Sequence, residues 1–139
     1  MTIAGSISVP WSWLANGTTR VDAHINRARA EAGHYPDHII KLIDDQGRIL
    51  YASDSHEPIL GFSAEALLGV HFHDVIARED IIHSELSIQD ALMNEEATEI
   101  GFRHLRADGT FVYLRRKTCP LQGDRHSAYY ILTRARPRD

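Results

Sequence analysis

The apolar positions of the chain change their spacing along its length, and each spacing predicts a different element. Val21, Ile25, Ala28 and Ala32 recur at intervals of four, three and four, which is one narrow helical face. Thr19 with Asp22 resembles a capping box at its start, and Gly33 would stop it. From Ile39 the pattern becomes dense and short. Ile39-Ile40-Lys41-Leu42-Ile43 and Arg48-Ile49-Leu50-Tyr51-Ala52 flank the turn Asp44-Asp45-Gln46-Gly47, which predicts a hairpin. Short helical pieces follow: Ser53 and Asp54 can cap one that carries Ile59 and Leu60, and Ser63 can cap another over Ala64 to Leu68.

The longest periodic run is Glu79 to Asn94, with Asp80 able to accept bonds from free N–H groups at its start. At ~100° per residue, with Ile81 at zero, Ile81, Ile82, Leu86, Ile88, Leu92 and Met93 cover an arc from about −20° to +140°. That arc is expected to face the interior, leaving His83, at about 200°, in solvent. Two more strands, Thr98 to Arg106 and Thr110 to Thr118, are joined by Ala107-Asp108-Gly109, and a last strand runs from Ser127 to Arg134.

Composition narrows the class. The chain has 139 residues, of which 43% are hydrophobic and 24% charged, as in an ordinary globular domain. A single cysteine, Cys119, excludes an internal disulfide framework and a cysteine-rich zinc site. No apolar run spans a bilayer and no signal peptide opens the chain, so a cytoplasmic protein without a membrane partner is expected. Charge is segregated: three basic residues face two acidic ones in 1–36, three face fourteen in 37–102, and nine face three in 103–139. The basic residues fall in strand-like segments rather than along one helix, so nucleic acid is not an expected partner. No nucleophile elbow, P-loop, HExxH or GxGxxG pattern occurs, so no catalytic residues are expected and the chain is read as a non-enzyme.

Four segments in order carry a resemblance. Asp44 through Ser53, Ile59-Leu60-Gly61-Phe62-Ser63-Ala64-Glu65-Ala66-Leu67-Leu68-Gly69, Ala77-Arg78-Glu79-Asp80 and Arg106-Ala107-Asp108-Gly109-Thr110 are similar to the motifs of PAS domains, over roughly residues 37–134. Ser53 stands where that family usually has Asn, and Ile131-Leu132-Thr133 lacks the Asp of its usual closing Asp-Ile-Thr. The resemblance implies an α+β fold: a five-stranded antiparallel sheet in the order 2-1-5-4-3, helices over one face and an N-terminal flanking helix. The expected organisation is an arm and amphipathic helix over 1–36, the PAS domain over 37–134 and a basic tail over 135–139.

The resemblance also frames the candidate chemistry. Flavin-adduct formation needs a cysteine where this chain reads Val70-His71-Phe72-His73-Asp74, so it is not expected. Haem-binding members supply a histidine from the long helix. His83 lies near that place but on the wrong side of the wheel, and His71 or His73 would be the substitutes. His71 and His73 in an extended segment would form half of a metal site with no clear third ligand, so no metal is expected. His104 alternates with Ile100 and Phe102 and reads as a satisfied sheet histidine.

The pocket is expected among Ile40, Leu42, Leu60, Leu67, Ile76, Ile82, Leu86, Phe102, Leu114 and Tyr129. So many branched side chains favour a filled core over a cofactor cavity. The functional expectation is a small sensory or dimerisation module in signal transduction, acting through a ligand or through protein contacts. The alternative is a sensor of haem or a small molecule. The thin stripe Val21, Ile25, Ala28 and Ala32 is the expected homodimer face, a signalling protein is a further partner, and Trp11 or Trp13 is expected to anchor the arm.

Overall fold

A computed structural model describes residues 20–137. Its order is α1 (Val21–His34), β1 (Ile39–Asp44), β2 (Ile49–Ala52), α2 (His56–Leu60), α3 (Ala64–Leu67), two 3-10 turns (Phe72–Val75 and Arg78–Asp80), α4 (Ile81–Asn94), β3 (Thr98–Leu105), β4 (Phe111–Gln122) and β5 (Tyr129–Pro137). The strands form one antiparallel sheet in the order β2-β1-β5-β4-β3. Thr19, Trp11 and Trp13, assigned above to a cap and an anchor, lie outside the described residues.

Both faces of the central strands are covered, because β1 and β5 are buried on alternate and intervening residues alike. On one face Ile40, Leu42, Leu121, Tyr130 and Leu132 pack with Ala28 of α1, while Val21, Ile25 and Ala32 lean on the same cluster. On the other, Ile39, Ile43, Phe102, Leu114 and Ile131 pack with Leu60, Leu67, Ile88 and Leu92 from the helical middle. The flanking helix is therefore part of the domain's second layer. An ion pair from Arg134 to Glu31 at 3.2 Å and the Arg134 guanidinium over the Tyr35 ring at 3.8 Å hold its C-terminal end.

Asp124 holds the other end of α1. Its carboxylate accepts from the Arg20 backbone N at 2.7 Å, from the His126 and Ser127 backbone N atoms at 2.9 and 3.2 Å, and from the Tyr130 hydroxyl at 2.9 Å. Burial alone would raise its pKa, but these bonds hold the carboxyl below the usual range. The β1–β2 turn places Gly47 at φ +77° against the His71 ring, where an added Cβ would lie 2.4 Å from Nε2. Only glycine supplies that dihedral and that closeness.

Ser63 caps α3 as expected, its hydroxyl accepting from Ala66 N, but other local expectations change. Asp80 precedes α4 but caps nothing: its carboxylate accepts from the backbone and guanidinium of Arg103, tying the helix start to β3. Ser55, not Ser53 or Asp54, precedes α2, and it makes no side-chain cap. The stretch expected as a basic tail from residue 135 instead continues β5 to Pro137, because β4 is long enough to pair with it as far as Leu114. No helix among the described residues is long and apolar enough to cross a membrane.

Candidate functional site

Alternation along the strands decides which side chains enter the space between sheet and helices. On β1 these are Ile39, Lys41 and Ile43. On β5 they are Ile131, Thr133 and Ala135, on β4 Leu114, Arg116 and Thr118, and on β3 Phe102 and His104. Thr133 stands opposite Lys41 on one side and Thr118 on the other, so the long side chains of Lys41 and Arg116 converge from either flank of β5. They meet at a small cavity of about 20 Å³, whose remaining lining includes Phe72, Ile76 and Phe102. That is room for roughly one water-sized group.

The polar groups here are tightly arranged. Lys41 Nζ donates to His104 Nε2 at 2.6 Å, and His104 Nδ1 donates to the Leu105 carbonyl at 2.7 Å, an assignment that leaves Nε2 as the acceptor. Arg116 Nη1 donates to Ser84 Oγ of α4 at 2.8 Å and Nε donates to Thr118 Oγ1 at 3.0 Å. Its plane lies over the Phe102 ring at 5.1 Å. His56 of α2 donates from Nδ1 to the Ser53 carbonyl at 2.8 Å. Among the described residues, Arg116 Nη2 and His56 Nε2 meet no hydrogen-bond partner.

Burial sets the protonation of this group. It pulls Lys41 down to about 7, with the Arg116 charge pulling the same way. His56 falls to about 3 and His104 to about 2, each through burial first and the Lys41 charge second, so both imidazoles are neutral at physiological pH. Arg116 is drawn down to about 10 and stays charged.

An adjoining cavity of about 240 Å³ shares Ile43 and Phe72 with the first. Its rim carries Asp44, Asp45, His71 and Glu85. Glu85 pairs with His73 across from the first 3-10 turn, and His71 Nδ1 accepts from His73 N. Among the described residues no three His, Cys, Asp or Glu side chains converge as metal ligands.

The expected pocket residues divide in two. Leu60, Leu67, Ile76, Phe102, Leu114 and Tyr129 lie on the helical side, with Ile76, Phe102 and Leu114 lining the small cavity and Tyr129 the larger. Ile40 and Leu42 do not: they lie on the opposite face under α1, because the strand's inward phase belongs to Lys41 and its neighbours. Ile82 and Leu86 are also misplaced, at 74% and 53% exposure. Helix α4 is rotated about a third of a turn from the apolar arc, since small Ser84, Ser87 and Ala91 with Ile88 and Leu92 allow it to sit close to the sheet. His83 is exposed in this rotation as well.

The dimer stripe needs a parallel correction. Val21, Ile25, Ala28 and Ala32 pack on this chain's own sheet, and Ala28 is fully buried there, so that face is not offered to a second copy. Cys119 is half-buried with the same outer cluster. His83 is exposed and so cannot ligate a haem held between the sheet and the helices. Lys41, Arg116 and His56 went unnoticed in the sequence. The available signal was a lysine in the middle of an otherwise apolar strand.

Comparison with known proteins agrees with this architecture. A family model described as a PAS fold matches residues 49–134. The crystal structure of a PAS domain from Colwellia psychrerythraea is similar at a TM-score of 0.69 and 24% identity, covering 82% of this chain and 97% of that one. The second PAS domain of Drosophila melanogaster Cycle, solved with bound ethylene glycol, gives 0.64 and 19%, covering 72% and 99%. A PAS domain from a two-component sensor histidine kinase gives 0.59 and 14%, covering 81% and 99%. At these identities the likeness is one of fold. No curated protein matches the chain.

Proposed function

The chain belongs to the PAS fold family, and on that premise we propose that it is a sensory module in signal transduction that holds a small molecule between sheet and helices and signals through α1. One observation carries this reading. β1 and β5 present Lys41 and Thr133 to the inner cavity, and Ile40, Leu42 and Leu132 to α1, on alternating residues of the same strands. A guest that displaces an inner side chain therefore shifts the floor on which the flanking helix rests. Solvent additives and metabolite-like fragments, screened by amide NMR on the full chain, test it. Fragments that move the amides of Lys41, Phe102 and His104 should also change hydrogen exchange at Ala28 and Glu31. Interior binding that leaves α1 untouched would remove the transmission step, and a screen with no interior binder would remove the ligand.

A second reading, assembly with another copy, is favoured by Ile82, Leu86 and Met93, which line one side of α4 and are 74%, 53% and 79% exposed. Light scattering of the full chain and of an Ile82→Ser, Met93→Ser variant tests it. A dimer that the double variant abolishes supports it, and a monomer at all concentrations ends it.

A further inference from the structure

We propose that the Lys41–Arg116 cavity is a binding site for a small monocarboxylate, with the charged end between the two cations and a short apolar body directed toward the adjoining cavity. The proposal rests on the reading that the interior receives a ligand and specifies its chemistry.

Charge balance points to an anion. Lys41 and Arg116 are 6% and 4% exposed, and neither forms an ion pair among the described residues. Their hydrogen-bond partners are one neutral imidazole and two hydroxyls: His104, Thr118 and Ser84. Nearby acids are engaged elsewhere. Glu85, whose field reaches Arg116, pairs with His73. Asp44 accepts from the Gln46 and Arg48 backbone, and Asp45 from Ala128. A buried cation without a counter-charge is strongly unfavourable, which is why Lys41 beside Arg116 sheds its proton easily, and a negative guest would relieve Arg116 and hold Lys41 in its ammonium form.

Donor geometry points to a carboxylate. Two nitrogens of the Arg116 guanidinium are fixed by Ser84 and Thr118 and its face rests on Phe102, which leaves Nη2 as an oriented, unpartnered donor at the cavity wall. Lys41 has ammonium donors beyond the one used by His104. A planar carboxylate matches a preset guanidinium better than a sphere does. The surroundings restrict the rest of the molecule. Phe72, Ile76, Phe102 and Leu114 leave an apolar lining, and the acidic rim of Asp44, Asp45 and Glu85 repels a second negative charge. The small cavity has room for a head group only, and Ile43 and Phe72, which line both cavities, are the side chains that a chain reaching the larger space would have to displace.

The test uses the full chain in a buffer free of carboxylate and chloride, with thermal unfolding and calorimetric titration against sodium acetate, butyrate and hexanoate. Sodium chloride and phosphate at matched ionic strength are the controls. The expected result is a saturable rise in Tm with at least one carboxylate and no equal rise with either control. Lys41→Met and Arg116→Gln should each weaken that binding by about tenfold or more. Lys41→Met should also raise Tm in the absence of any carboxylate, which a lysine kept merely for its bond to His104 would not do. If Arg116→Gln fails to fold, Lys41→Met decides alone. No saturable response, an equal response to chloride, or unchanged carboxylate binding in Lys41→Met overturns the proposal. Binding that leaves α1 exchange unchanged would keep the carboxylate site and remove only the sensory reading.

Discussion

The two faces of the sheet are built from the same strands and both are largely apolar, but only the inner one buries basic side chains. Under α1 the strands present Ile40, Leu42, Leu121 and Leu132, and the buried acid of that layer, Asp124, has its oxygens filled by backbone and hydroxyl donors. Under α4 one residue along, they present Lys41, Thr133, Thr118 and Arg116, with donors left over. The outer face is explained by burial and hydrogen bonding alone. The inner face is not, because Lys41 and Arg116 are buried there with no ion pair among the described residues. The contrast separates polar groups whose bonds the fold completes from two basic side chains that it buries without a counter-charge among the described residues.

Acid is expected to break the comparison most deeply. His56 and His104, with folded pKa values of about 3 and 2 against 6.5, stay neutral in the folded protein while the unfolded chain takes up protons, so stability is lost as pH falls below 6.5. Each contributes about 1.4 kcal/mol per pH unit at most in that window. Lys41, at about 7 against 10.5, adds a loss of the same sign between about pH 10 and 7 that levels off below 7. Urea unfolding at pH 9, 7 and 5 should give falling stability throughout, and His56→Gln should flatten the slope between 7 and 5. A stability that rises on acidification would refute the neutral, buried histidines.

Truncation on the outer face comes next. Ile40→Ala or Leu42→Ala should each remove about 2–5 kcal/mol, as for other fully buried aliphatic residues. Asp124→Ala should remove about 2–3 kcal/mol, since it strands the Tyr130 hydroxyl and the Arg20 amide. Its signature is local: faster hydrogen exchange at the start of α1 before global unfolding. The smallest effect is expected on α4, where Ile82→Ala should fall within about 0.5 kcal/mol while Ile88→Ala, on the buried side of the same helix, should not. Equal losses at the two positions would restore the helix phase read from the apolar arc.

Much of the architecture is legible in the sequence. Gly47 and Gly109 with their acidic neighbours announce the hairpins, and the order of elements carries the PAS resemblance that the matched residues 49–134 bear out. Facing is harder to read where a strand is buried on both sides. Ile39-Ile40-Lys41-Leu42-Ile43 offers apolar residues in either phase, and a phase with Ile40 and Leu42 inward carries Lys41 to the opposite face. Helix α4 misleads for a related reason: serines and alanine permit close approach to the sheet, so the most apolar arc is not the buried one. The cation pair was hidden because its members come from β1 and β4, far apart in sequence and adjacent only across β5.

The Asp124 contact has a consequence in force rather than free energy. The Arg20 amide and guanidinium are bonded to Asp124 and to the Gly123 carbonyl, over a hundred residues along the chain, whereas the next strand in sequence is β1. Tension applied to the chain ahead of α1 would therefore load the β4–β5 connection first, and reach β1 only after that attachment had given way. A pull on the N-terminal side should show one early, small yield that Asp124→Ala erases, followed by the main rupture of the sheet, unchanged in height.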